Sequence, residues 1–338
     1  MNQFINFEIK SNTGIIYLNR PKALNALNLE MAQLFLEKLK QWESDYNIER
    51  VLLLGEGKVF CSGGDVKSLV VSPDKQNLKK IFFEREYTLN YFISKFNKTY
   101  LSIWNGLVMG GGAGLSVHGN YRIATENTKF AMPETAIGFF PDVGSSFFLS
   151  RMPKNVGLYL GLTGEIINAY EMIYLNLATH FNSSDNIENI KTNYIKEGTL
   201  PLSKTIEKKN SIVLDNIDFI KDNFNGDILS IMKNIKNSNS KFAKKTYDKL
   251  TKRCPMSLAI TVELLKKAKT LSLKECLEME FQLCQNIVYR DDFNNGIEAV
   301  LVTKLNNPLW NPNSIYDIGK IEIENFFQTH TKKLGLKE

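Results

Sequence analysis

Cysteine is scarce and unpaired in this sequence: Cys61, Cys254, Cys276 and Cys284 lie far apart, and no C-x-x-C occurs. That excludes a disulfide scaffold and a structural zinc site, and it makes reduced thiols in a cytoplasmic location the expectation. Histidine is scarcer still, and His118, His180 and His330 show no ligand spacing, so no metal is expected. The first ten residues carry Glu8 without a basic cluster and no arginine precedes Arg20, so neither a secretory signal nor an Arg-rich transit peptide is expected.

Long runs of like charge are also missing. The 42 basic and 36 acidic residues leave a net charge of +6 without basic arms. With no RNP1, finger or helix-turn-helix signature, nucleic acid is excluded as a partner, and the surplus suits a small anionic ligand. The stretch Thr99 to Tyr121 has no Asp, Glu, Lys or Arg and is long enough to span a bilayer. Its six glycines, with Asn105, Asn120 and His118, dilute it too far, so no membrane span is expected. No P-loop, G-x-S-x-G or H-E-x-x-H is present, and Val117 occupies the third glycine position of a would-be G-x-G-x-x-G. The chemistry must come from glycines and carboxylates.

What is there is an ordinary globular composition, 43% apolar and 23% charged over 338 residues. A chain of this length buries roughly 75% of its unfolded surface without a metal or disulfide. Phe4 to Ile9 and Gly14 to Leu18 read as a hairpin, and Asn28 as the cap of a helix whose apolar face is Met31, Leu34, Phe35, Leu39 and Trp42. Val51 to Leu54, Tyr100 to Trp104 and Tyr121 to Ala124 read as strands, with a helix from about Gln76 to Phe96. This alternation predicts an α/β fold with parallel pairing. Past about residue 200 the periodicity turns helical, giving an expected division into a core, 1–200, and a helical C-terminal region, 201–338.

Two glycine turns, Gly63-Gly64-Asp65 and Gly110-Gly111-Gly112, each follow an apolar strand. They could aim backbone N–H groups at a developing oxyanion, or they are tight turns that need positive φ. Glu134 in Met132-Pro133-Glu134-Thr135 and Asp142 in Phe140-Pro141-Asp142-Val143 sit among apolar residues, where burial raises a carboxyl pKa. The competing reading is structural: Asp142 as a helix N-cap and Glu134 in a first helical turn. Glu84 and Glu86 read by default as a solvated helix face, and Lys22 as either solvated or facing a phosphate.

Several of these segments together resemble the enoyl-CoA hydratase/isomerase (crotonase) superfamily, and within it the 3-hydroxyisobutyryl-CoA hydrolase branch. They are Leu18-Asn19-Arg20-Pro21-Lys22-Ala23-Leu24-Asn25, Phe60-Cys61-Ser62-Gly63-Gly64-Asp65, Met109-Gly110-Gly111-Gly112 and, most specific to that branch, Ala131 to Gly144. The likeness is dense from Gly14 to Phe181 and faint between 185 and 250. It implies a crotonase-like spiral of ββα units with a mainly helical C-terminal region, assembled as trimers or multiples of them.

Carried onto this chain, the resemblance implies a cofactor-free hydrolase of a short 3-hydroxyacyl-CoA, most specifically 3-hydroxyisobutyryl-CoA in valine breakdown. Gly64 and Gly111 would form the oxyanion hole, Glu134 and Asp142 would be catalytic and Glu86 would meet the acyl group. Lys22, Ala23 and Leu24 would lie near the CoA nucleotide. Hydratases of the superfamily carry a second catalytic glutamate where this chain has Gly114, a position that cannot do acid/base work. Ser145 replaces a glycine common in the branch, and Asn295, Glu298 and Thr303 replace its usual charged residues. An enoyl-CoA hydratase or isomerase, or a non-catalytic acyl-CoA-binding protein, is the alternative.

Overall fold

The computed structural model describes residues 4–207, 210–328 and 332–337; His330 lies outside them. Two compact units interleave along the chain, the first formed by residues 1–65, 88–130 and 166–211, the second by 66–87, 131–165 and 212–338.

The first unit holds the strands. The hairpin is β1 (Ile5–Lys10) and β2 (Thr13–Leu18), antiparallel with Ile5 opposite Leu18. Next come β3 (Arg50–Gly55), β4 (Thr99–Trp104), β5 (Leu107–Met109), β6 (Tyr121–Ala124), β7 (Lys129–Ala131), β8 (Ile167–Asn168) and β9 (His180–Phe181). One sheet runs in the order β1-β2-β3-β4-β6-β9, parallel from β2 onward, and a smaller one runs β5-β7-β8. Ile15, Leu52, Leu101, Ile103 and Ile123 form its core with Tyr194. These continuous apolar runs are what strands covered on both faces require. Asn28 caps the helix Leu29–Ser44 by accepting from Met31 N–H (2.8 Å), as expected.

The stretch tested as a membrane span is β4, β5, the one-turn helix Gly111–Gly114 and their loops. Among the described residues no helix is long and apolar enough to cross a membrane. No strand follows Phe181 among the described residues. In the second unit the helices Ser145–Leu149 and Val156–Thr163 pack against Pro255–Ala268.

Close packing of backbone joins the two glycine turns of the first unit. A Cβ added at Gly112 would stand 2.6 Å from Cys61 O, closer than any side chain is tolerated. Gly112→Ala is therefore expected to lose about 1–3 kcal/mol of stability through overpacking. A denaturant titration checks it, and an unchanged midpoint would show that the turns can move apart freely.

Candidate active site

Hydrogen bonds lace the glycine turns of the first unit together. Cys61 N–H donates to Leu107 O and Met109 N–H to Cys61 O, both at 3.0 Å, so the turn Cys61–Asp65 is tied to β5, and the second turn starts where β5 ends. A Cβ added at Gly63 would lie 3.4 Å from Met109 O and 3.8 Å from Gly111 N, which measures how close the turns run. Among the described residues no partner takes the N–H of Gly64 or of Gly111. For Gly111 the reason is position: it opens a helix, where an N–H has no partner within the helix.

Lys22, Ala23 and Leu24 form a neighbouring turn. Ser62 N–H donates to Leu24 O (3.0 Å), and buried Asn25 pins the turn by donating to Glu56 O and Val59 O. Arg20 supports it through Asp65 (2.9 Å) and Ala26 O (2.6 Å). Lys22 and Leu24 are exposed to solvent, where a large anionic ligand could reach them.

The second unit collects the carboxyls. Glu134 lies in the single-turn helix Glu134–Ile137, as the structural reading allowed, yet it is only 6% exposed. The N-cap reading of Asp142 does not hold. Gly144 precedes the helix Ser145–Leu149, and the Asp142 carboxylate instead accepts from the Tyr87 hydroxyl (2.7 Å). The solvated-face reading holds for Glu84, which pairs with Lys332 at 2.6 Å, but not for Glu86, 2% exposed. Two positions along the helix Lys75–Lys95 turn Glu86 away from solvent, toward the face that carries Phe82, Phe83 and Tyr87. Phe83 stacks on Phe139 (5.2 Å) and Phe139 on Phe140 (4.5 Å), so apolar rings wall the site.

Burial decides the charge state here. It is the main cause that lifts Glu86, Glu134 and Asp142 above the usual carboxylate range. The charge of Asp142 raises Glu86 and Glu134 further, and that of Glu134 raises Glu86, so the three are near enough to act on one another. Asp142 is pushed up only to about 7, because Tyr87 and a backbone N–H bond its ionised form. Among the described residues none of the three has a cation in ion-pair contact, and Glu86 Oε1 and Glu134 Oε2 are buried with no hydrogen-bond partner. Such orphaned acceptors are where a ligand's hydroxyl or a water would bind. No group of side chains among the described residues could hold a metal ion.

Sequence reasoning missed two groups. Tyr87 looks like a core aromatic until its hydroxyl is traced to Asp142. Glu280 sits on the helix Leu273–Ile287 between buried Cys276, Leu277, Phe281 and Cys284. A carboxylate on an apolar helix face was the available signal. It is fully buried, pushed up to about 8 by that burial, and accepts from Gly144 N–H (2.7 Å) and Ser146 N–H (3.0 Å).

The raised pKa of Asp142 carries a stability consequence. The unfolded chain releases this proton near pH 4, whereas the folded chain keeps it to about 7, so the folded state binds more protons between these values and stability falls as pH rises through that window. One such group contributes a slope of up to about 1.4 kcal/mol per pH unit. Asp142→Asn, which cannot ionise, is expected to match the wild type near pH 4 and exceed it at pH 8. Denaturant midpoints at both values test this, and a gap that does not widen with pH would contradict the assignment.

Comparison with known proteins places the chain in a family. A family model described as enoyl-CoA hydratase/isomerase matches residues 13–327. The chain is 39% identical over 330 residues to "3-hydroxyisobutyryl-CoA hydrolase, mitochondrial" of Xenopus tropicalis, covering 93% of this chain and 86% of that one. It is 40% identical over 360 residues to the protein of that name in Dictyostelium discoideum, covering 98% and 93%. A crystal structure titled carnitinyl-CoA dehydratase, from Mycobacterium thermoresistibile, superposes with a TM-score of 0.90 at 31% identity over 98% of both chains, in accord with the crotonase-like fold expected. The relatives' names correct the expected cytoplasmic location, since both are mitochondrial proteins. Reduced thiols report a reducing compartment, not which one. The chain belongs to the enoyl-CoA hydratase/isomerase family.

Proposed function

We propose that this chain hydrolyses 3-hydroxyisobutyryl-CoA to 3-hydroxyisobutyrate and free CoA, without a cofactor, in the mitochondrial setting of its named relatives. The observation that carries the reading is the buried carboxyl set of Glu86, Glu134 and Asp142; the sequence adds that Gly114 stands where hydratases of the superfamily use a second glutamate. The hydrolase names of the relatives support it.

In this mechanism the N–H groups of Gly64 and Gly111 take the charge that grows on the thioester oxygen. Glu134 is the reacting carboxylate: it attacks the carbonyl carbon to give a mixed anhydride that water then hydrolyses to the free acid, or it takes a proton from the water that attacks directly. As the C–S bond breaks, the leaving sulfur takes a proton from Asp142, which a pKa of about 7 leaves part protonated at neutral pH. Glu86 accepts a hydrogen bond from the substrate's 3-hydroxyl. Lys22, Ala23 and Leu24 belong to the same proposal as contacts of the CoA nucleotide, supported by the exposure of Lys22 and Leu24. Assembly as a trimer or a multiple of one is part of it too, and sedimentation measures that.

A thiol-release assay on 3-hydroxyisobutyryl-CoA tests the reaction class. Glu134→Gln and Asp142→Asn are each expected to lower kcat on the order of 10²- to 10⁴-fold, the usual worth of a positioned acid or base. Loss of crotonyl-CoA absorbance with no thiol release from any 3-hydroxyacyl-CoA would identify a hydratase instead. Selectivity tests Glu86. A site built to bond a hydroxyl rejects analogues lacking it by as much as about 10⁴-fold, so Glu86→Gln should shrink the preference over isobutyryl-CoA at least tenfold. An unchanged ratio would return Glu86 to a packing role.

A further inference from the structure

The turn that presents Asp142 runs through two successive left-handed residues, Val143 at φ +56° and Gly144 at φ +79°. Glycine accepts that region freely, but β-branched Val143 does not, so the reversal persists only if its surroundings enforce it. Locally the reversal is spanned by the bond from Ser145 N–H to Asp142 O (2.8 Å), but Gly144 offers no side chain to cap the helix that follows, which is only five residues long.

Glu280 supplies the enforcement from 136 positions along the chain. Its Oε2 accepts from Gly144 N–H at 2.7 Å, while Oε1 accepts from Ser146 N–H at 3.0 Å and from the Ser146 hydroxyl. The two oxygens thus straddle the turn immediately after Val143. No cation pairs with Glu280 among the described residues, and the proposed reaction makes no use of it. Tyr87, which packs against Phe281 on the same helix at 6.3 Å, holds the Asp142 carboxyl from another side. The remaining ionisable groups facing this corner are Glu86, Glu134, Cys276 and Cys284.

We propose that Glu280 is a positioning residue for the hydrolysis: its carboxylate clamps the Val143–Gly144 reversal and thereby aims Asp142. This rests on the proposed catalytic role of Asp142. The clamp needs both oxygens as acceptors, which the ionised carboxylate provides; the Gly144 and Ser146 donors favour that form while burial opposes it. Glutamine has nearly the same volume but offers one acceptor and turns an amide N–H₂ toward a backbone N–H, so Glu280→Gln opens one side of the clamp without a cavity.

The test is a double-mutant cycle on the full chain, with kcat and KM for 3-hydroxyisobutyryl-CoA from thiol release and a thermal melt for each variant. A carboxyl displaced by about 1 Å costs on the order of 10²-fold. Glu280→Gln is therefore expected to lower kcat about 10- to 100-fold with KM within twofold, in a protein that still melts cooperatively. Combined with Asp142→Asn, it is expected to add no further loss, because its effect passes through Asp142. Full activity of Glu280→Gln beside an inactive Asp142→Asn would overturn the clamp, as would losses that multiply in the double variant. Full activity of Asp142→Asn would instead overturn the reading of Asp142, and the inference with it. If the glutamine variant fails to fold, Glu280→Asp, which keeps two acceptors on a shorter arm, carries the same cycle with the same criteria.

Discussion

Carboxyl groups taken out of water with no cation beside them are the constraint around which the second unit is organised. Glu86, Glu134, Asp142 and Glu280 are all buried, and among the described residues none has an ion-pair partner. A lone carboxylate in such surroundings is unfavourable, so each group keeps its proton to higher pH than an exposed one would. That cost is accepted here as shifted pKa values, and it is moderated wherever the fold can supply a donor. Asp142 has the Tyr87 hydroxyl, Glu280 has two backbone N–H groups and a serine, and Glu86 and Glu134 each keep one buried oxygen without a partner. The result is a graded set, with Asp142 nearest neutrality at about 7 and Glu280 at about 8.

The first unit meets a different demand, that of leaving backbone donors free. Parallel strands deliver the chain to their ends, and the two glycine turns there are held together by backbone bonds from Cys61 to Leu107 and from Met109 to Cys61. Absence of a Cβ lets the turns approach until Gly112 touches Cys61, and the N–H groups of Gly64 and Gly111 are left unclaimed among the described residues. Rigidity comes from the strands and access from the turns.

Fold and reaction are separate matters in this family. A solved structure that superposes with a TM-score of 0.90 is titled a dehydratase, whereas relatives at 39% and 40% identity are named hydrolases. A shared scaffold hosts several chemistries, and the side chains placed on it distinguish them. In this chain Gly114 and the buried, mutually interacting Glu134 and Asp142 are the features to which the proposed hydrolysis looks.

Strands, the capped helix Leu29–Ser44 and the two glycine turns were legible in the residues themselves, because each rests on neighbours in the chain: an apolar run, an Asn28 cap, a cluster of glycines. The residues Glu134 and Asp142 were legible as candidates for the same reason, carboxyls set in apolar surroundings, but their chemistry and their capping alternatives read alike. Only tertiary structure separated those readings. It turned Glu86 inward while Glu84, two residues earlier, met Lys332; it denied Asp142 a cap and supplied Tyr87; and it carried Glu280 across 136 positions to Gly144. Burial and long-range hydrogen bonds depend on what the rest of the chain packs against a residue, and no local pattern contains that.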